Sequence, residues 1–232
     1  MLLLSGISLF MACVSAIWFT ILPNDVQDVK RPVGVGLTET IEEAPLKFSL
    51  SFRPDPLVGI VAGHAGFDPG AVCEDGLTEA QVNIRIAEEV ASLLQQRNIK
   101  TDILQEFDPR LNNYRADALV SIHADSCNVP GATGFKVARV TASAIPEAED
   151  RLVACLVNEY GKITRLPEHK ASITDGMTDY HAFREIASYT PGAIIETGFL
   201  LEDRYLLANN PKLAARGVAA GILCFLKSSE NG

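Results

Sequence analysis

From Leu57 to Leu226 short apolar runs alternate with stretches of helical spacing, and this alternation constrains the 232-residue chain more than any other feature. Leu57–Ala62 is a continuous apolar run ending at Gly63, the pattern of a buried strand. Leu77–Arg97 has helical spacing, with Val82, Ile86, Val90, Leu93 and Leu94 on one face. Thr78 and Gln81 form a capping box at its start, which places Glu79 in the first turn. Ile99–Leu104 alternates, Ala118–Ile122 is continuous and Phe135–Val140 alternates again, so three more strands are expected. Pro146–Gly161 is helical, with Leu152, Cys155, Leu156 and Val157 inward; Ala193–Ile195 is a strand. Asn210-Pro211 opens a final helix through Leu226, with proline where a missing N–H costs nothing. Strands separated by helices predict an α/β domain over residues 57–229, with a mostly parallel central sheet and helices on both faces.

The first 23 residues carry no charge, and Asp25 is the first ionised side chain. Crossing ~30 Å of hydrocarbon takes ~20 helical residues, so the segment is expected to be a transmembrane anchor. A buried core helix would show a polar face, and a cleaved signal peptide would carry a basic start and a small-residue cleavage site. Lys30 and Arg31 follow the anchor, and the positive-inside rule would hold them in the cytoplasm. Residues 24–56 are rich in proline and read as a tether, within which Phe48, Leu50 and Phe52 alternate like an edge strand. The formal net charge is −9, which argues against nucleic acid as a partner, because phosphate binding needs a basic face. No glycine-rich phosphate loop is present, so nucleotide cofactors have no support. Five cysteines without C-x-x-C spacing cannot all pair within the chain. No disulfide framework is assigned; a contact between Cys73 and Cys127 is left open, with a reduced pair as the expectation.

In open α/β sheets ligands gather at the carboxyl ends of strands. The first strand ends in Gly63-His64, the strand through Val120 ends in Ile122-His123-Ala124-Asp125, and Ala193–Ile195 ends in Glu196. Glu79 follows soon after the first of these. Two histidines and a carboxylate suffice for a catalytic zinc that keeps one position for water, and Glu196 would then serve as general base or acid. Each residue also has a plainer explanation. A lone histidine after a strand is commonly a hydrogen-bonder, and Glu79 complements the dipole at a helix N-terminus. Glu196 is harder to explain in that way, since a carboxylate ending so apolar a strand needs a partner.

The segments GHAGFDPGA, GLTEAQVN, ADALVSIHAD, GATGFKV and IIETGFL, in this order, resemble the zinc-dependent N-acetylmuramoyl-L-alanine amidases of the amidase-3 (AmiC-like) family. By position, the resemblance implies zinc ligands at His64, Glu79 and His123 and a catalytic glutamate at Glu196. It implies peptidoglycan as substrate, with zinc-activated water cleaving the amide between the muramoyl lactyl group and L-Ala. The catalytic domain would then be extracytoplasmic, in periplasm or cell wall, held to the cell membrane by residues 1–23; Lys30 and Arg31 conflict with that orientation. An activator protein is left open.

The chain also departs from the family pattern. Val61-Ala62 precede Gly63-His64 where Asp-Pro is usual, Ala65 replaces a common Gly, and Asp125 stands for Asn. Asp108–Arg115 is shorter and lacks the customary Arg and Ala-Asn pattern, and Leu201-Glu202-Asp203 replaces an Asn-containing turn. None is a ligand. The stretch from Val140 to Tyr180 is too short for the autoinhibitory helix of some relatives, so no built-in plug is expected. His169 and His181 lie in the polar Thr164–Tyr189 segment bordering the expected cleft, His181 being the better candidate for substrate contact. Two alternatives stand beside this reading: another zinc amidohydrolase or peptidase of the same fold, and a catalytically silent wall-binding module.

Overall fold

The computed structural model describes residues 55–230. The anchor at 1–23, nearly all of the tether and the strand expected around Phe48–Phe52 lie outside the described residues. Among the described residues no helix is long and apolar enough to cross a membrane. The chain runs β1 (Leu57–Ala62), α1 (Glu79–Gln95), β2 (Lys100–Leu104), β3 (Ala118–Asp125) and β4 (Lys136–Ala138). It continues through α2 (Pro146–Thr164), α3 (Asp175–Thr178), α4 (Ala182–Glu185), β5 (Gly192–Phe199) and α5 (Pro211–Glu230). The sheet order is β2-β1-β3-β5-β4. All neighbours are parallel except β4, which lies antiparallel on the edge against β5. The five expected strands are all present.

Helices cover both faces, but unequally. Side chains from one parity of the strands (Ile60, Ala62, Val120, Ile122, Ala193, Ile195) share a core with Val82, Ile86 and Val90 of α1, Leu152 and Leu156 of α2, and Val218 and Ile222 of α5. All three long helices therefore lie on one face. The other parity (Val61, Leu119, Ile194, Ala138) meets Leu111, Met177, Tyr180, Ala182 and Ile186, with Tyr114, Ile173 and Phe183 partly buried against them, all from single turns and the loops between them. The long amphipathic helices segregate because each buries a wide apolar stripe that only a flat apolar sheet face or another such helix can cover. The second face is left to polar loops, and His123 and Glu196, paired in register across β3 and β5, belong to that parity.

The cysteine expectation is corrected. Cys73 is bonded to Cys127, and Cys155 to Cys224, with Cα separations of 5.3 and 5.7 Å. Pairing across 54 and 69 residues has no local signature. The second bridge exists because α2 and α5 pack along one another, and the first because the loops after β1 and β3 lie side by side. Cys13, the odd thiol, is outside the described residues.

Candidate metal centre

β1 and β3 are neighbours, yet the chain leaves β1 toward β2 on one side and leaves β3 toward β4 and β5 on the other. The crevice at their carboxyl ends is the switch point where an open α/β sheet accepts ligands. His64 stands immediately beyond β1 and His123 near the end of β3. Gly63 makes room for them: a Cβ there would meet the His123 ring at 2.3 Å. His64 itself adopts a left-handed conformation (φ 64°), uncommon for a non-glycine residue, which turns its ring back over the crevice.

Glu79 is the first residue of α1, whose capping box is formed as expected: the Gln81 N–H donates to Thr78 Oγ1 at 3.2 Å, and the Thr78 N–H to Gln81 Oε1 at 3.4 Å. Its carboxylate does not face solvent over the helix end. It is buried, accepts the Ala71 and Ala124 N–H groups at 3.1 and 3.2 Å, and receives an Asn83 amide N–H at 3.3 Å. His64 Nε2 lies 3.3 Å and His123 Nδ1 3.1 Å from the same Glu79 Oε1. One donor atom from each of these three residues lies within 4.8 Å of the others. Asp68 Oδ1, 2.6 Å from His64 Nδ1, orients that ring so that Nε2 is the nitrogen presented. The disulfide Cys73–Cys127 joins the loop leading into Glu79 to the loop following His123.

Two nitrogens and a carboxylate oxygen converging from separate elements form a set that could hold a divalent metal ion. Shared protons mark the same pocket in the metal-free protein. The hydrogen bond that His64 makes to Glu79, partly offset by burial, raises His64 to about 9. Burial lowers and Glu79 raises the His123 pKa, with a net rise, while the two imidazoles outweigh burial and hold the Glu79 carboxyl well below its usual range. Metal binding here must displace protons, so affinity falls as pH falls.

Glu196 ends the apolar run Gly192–Ile195, and its Oε2 is buried with no hydrogen-bond partner. Burial pushes its pKa up to about 7, with the negative charges of Glu79 and Asp125 in the same direction and His123 and Lys136 opposing. β5 carries an extra residue relative to β3 just past the His123–Glu196 pair, a bulge of the kind that re-aims side chains beside sites. Thr197 Oγ1 donates to the His123 carbonyl at 2.8 Å, and Tyr160 of α2 donates to the Thr197 carbonyl at 2.6 Å, which hold the bulge in place.

All four predicted residues thus gather at this crevice. His169 does not; it lies against Ser172 and the Phe199 ring. His181 reaches the centre indirectly through Glu106, a residue that the sequence reading missed. Glu106 follows the carboxyl end of β2, so the strand-end rule that selected His64 and His123 would have found it had that end been included.

An open, mainly parallel sheet presenting two imidazoles and a carboxylate at its carboxyl edge defines the class of α/β proteins whose donor set fits one divalent metal ion with a coordination position to spare. The family described as Amidase_3, N-acetylmuramoyl-L-alanine amidase, matches residues 58–224, and the chain belongs to it. A putative N-acetylmuramoyl-L-alanine amidase of Buchnera aphidicola is 36% identical over 93 residues, 34% of this chain and 39% of that protein. The matched stretch is thus well under half the length of that relative. Among solved structures, N-acetylmuramoyl-L-alanine amidase AmiC2 of Nostoc punctiforme superposes with TM-score 0.58 at 26% identity, covering 74% of this chain and 97% of that one. The CwlD amidase of Clostridioides difficile, solved in complex with the GerS lipoprotein, shares the fold with TM-score 0.61 at 19% identity, covering 75% of this chain and all of that one.

Proposed function

We propose that this chain is a zinc-dependent peptidoglycan amidase that hydrolyses the amide between N-acetylmuramoyl and the L-Ala of the stem peptide. The observation that carries this reading is the convergence of His64 Nε2, His123 Nδ1 and Glu79 Oε1 in a member of the amidase family, with Glu196 in register with His123 and its Oε2 buried without a hydrogen-bond partner. His64, Glu79 and His123 would hold the zinc, leaving a coordination position for water or substrate. Zinc bound there supplies a Lewis acid that polarises a carbonyl and acidifies water. Glu196 takes a proton from the attacking water on its Oε2 as the new C–O bond forms, and returns it to the amine of L-Ala as the amide C–N bond breaks. A carboxyl pushed up to about 7 suits that exchange at neutral pH, and such assistance is worth roughly 10²–10⁴ in rate. Asp68 and Asn83 keep His64 and Glu79 in their rotamers.

The same reading places the domain outside the cytoplasm, on a membrane anchor formed by residues 1–23 and a tether over 24–56. The charge-free N-terminal stretch and the two disulfides, which persist in oxidising compartments, support that location. Digestion of purified cell wall tests the activity. Free muramoyl lactyl carboxyl and new N-terminal Ala should appear, chelation should abolish both, and His123→Ala should lower zinc content. Cleavage at another bond would leave a zinc hydrolase of different specificity, and full zinc occupancy in the variant would remove His123 from the site.

A further inference from the structure

Glu106 is buried beside the candidate metal centre, and none of the roles assigned above uses it. Its Oε2 accepts the backbone N–H of His64 at 2.6 Å and lies 3.8 Å from His123 Nε2. Its Oε1 accepts the Tyr180 hydroxyl at 2.9 Å and faces His181 Nε2 at 3.0 Å. One carboxylate therefore touches the backbone of one candidate ligand, faces the ring of the other and is gripped from behind by the segment between α3 and α4. That grip continues outward: Ser121 Oγ donates to the Tyr180 hydroxyl at 3.1 Å, and His181 Nδ1 is 2.8 Å from Glu185. The His181 ring stacks on Phe107, centroids 4.2 Å apart.

We infer that Glu106 is a positioning residue for the metal centre, holding His64 in its left-handed conformation and serving as the acceptor for His123 Nε2–H when His123 Nδ1 is a ligand. The inference rests on the proposed zinc site. Three observations carry it. His123 presents Nδ1 to Glu79, so the proton of a neutral ligand ring must sit on Nε2. That Nε2 is buried without a hydrogen-bond partner, and the facing acceptor is Glu106 Oε2. A metal-ligating imidazole is normally held by such an acceptor, and its loss typically costs 10–100-fold in metal affinity. His64, at φ 64°, needs an external hold, and the short bond from its N–H to Glu106 supplies one. The bond between the Glu106 N–H and the Ala65 carbonyl at 3.1 Å ties the same two loops a second time, so the carboxylate can be altered without separating them.

The test is zinc affinity by chelator competition on the full chain, for wild type, Glu106→Ala and Glu106→Gln, beside thermal unfolding of each metal-free protein. Glu106→Ala should weaken zinc binding by roughly 10–100-fold. Glu106→Gln, which keeps size and one acceptor oxygen, should recover part of the loss and provides the folded comparison if the alanine variant fails to fold. Long-range proton–nitrogen NMR of the zinc-loaded protein supplies a readout that mere scaffolding would not move. The His123 Nε2–H resonance should be far downfield in wild type and shift upfield in Glu106→Gln. Wild-type zinc affinity in both variants, or an unmoved His123 resonance, overturns the inference while leaving the zinc reading intact. Failure of the wild-type protein to bind zinc overturns both.

Discussion

Replacing Glu196 with glutamine should stabilise the metal-free protein at neutral pH and above. Burial raises this carboxyl from 4.5 to about 7, and its Oε2 has no hydrogen bond to offset the loss of water. At 1.36 kcal/mol per unit, keeping Glu196 ionised in the folded state costs about 3 kcal/mol. The sign follows from which state holds the proton more tightly. Below the unfolded value both states are protonated and the cost is absent; as pH rises through the folded value near 7, the native state bears it in full. Glutamine fills the same volume and never ionises. Urea unfolding of chelated wild type and Glu196→Gln should therefore give equal stabilities near pH 4 and a gap of up to about 3 kcal/mol in favour of the variant near pH 8. In a chain of this size that gap corresponds to roughly 6–12 °C in Tm. The zinc-loaded variant should meanwhile lose at least ~10²-fold in turnover. A carboxylate that costs stability and supports activity is the signature of a functional group. A gap of the same size at both pH values, or a variant less stable near pH 8, would refute the desolvation reasoning and return Glu196 to a structural role.

Removing the α2–α5 disulfide with Cys155→Ser and Cys224→Ser should cost up to about 4 kcal/mol, given its 69-residue separation, read as a lower denaturant midpoint under non-reducing conditions; an unchanged midpoint would remove the bridge from the stability of the fold. Full-length protein should fractionate with membranes while a 24–232 chain stays in the supernatant, and protease added to spheroplasts should degrade the domain; a protected domain would put it in the cytoplasm and make the wall-hydrolase reading untenable in the cell.

Much of this protein is legible in its sequence, wherever the determinants are near neighbours. The apolar run of β1, the α1 stripe of Val82, Ile86 and Val90, and the Thr78–Gln81 capping box are encoded within a few residues of themselves, and the structure contains each of them. His64, His123 and Glu196 were recognisable as strand-end residues because a parallel sheet directs its loops to one edge. Other features arise only when distant segments meet. A three-residue β4 has no local mark of its direction; its antiparallel pairing with β5 comes from the path the chain takes around the sheet edge. The gathering of all three long helices on one face depends on which apolar stripes can cover one another, and the Cys155–Cys224 pair depends on that packing in turn, as Cys73–Cys127 depends on two loops meeting at the strand ends. Glu106 shows the same limit most sharply. Its partners lie 42 residues before it, at His64, and 75 after it, at His181, and nothing near Glu106 in the chain marks them. Hydrophobic periodicity and capping act over one or two turns, whereas a buried carboxylate acquires its role from the groups that tertiary packing brings against it.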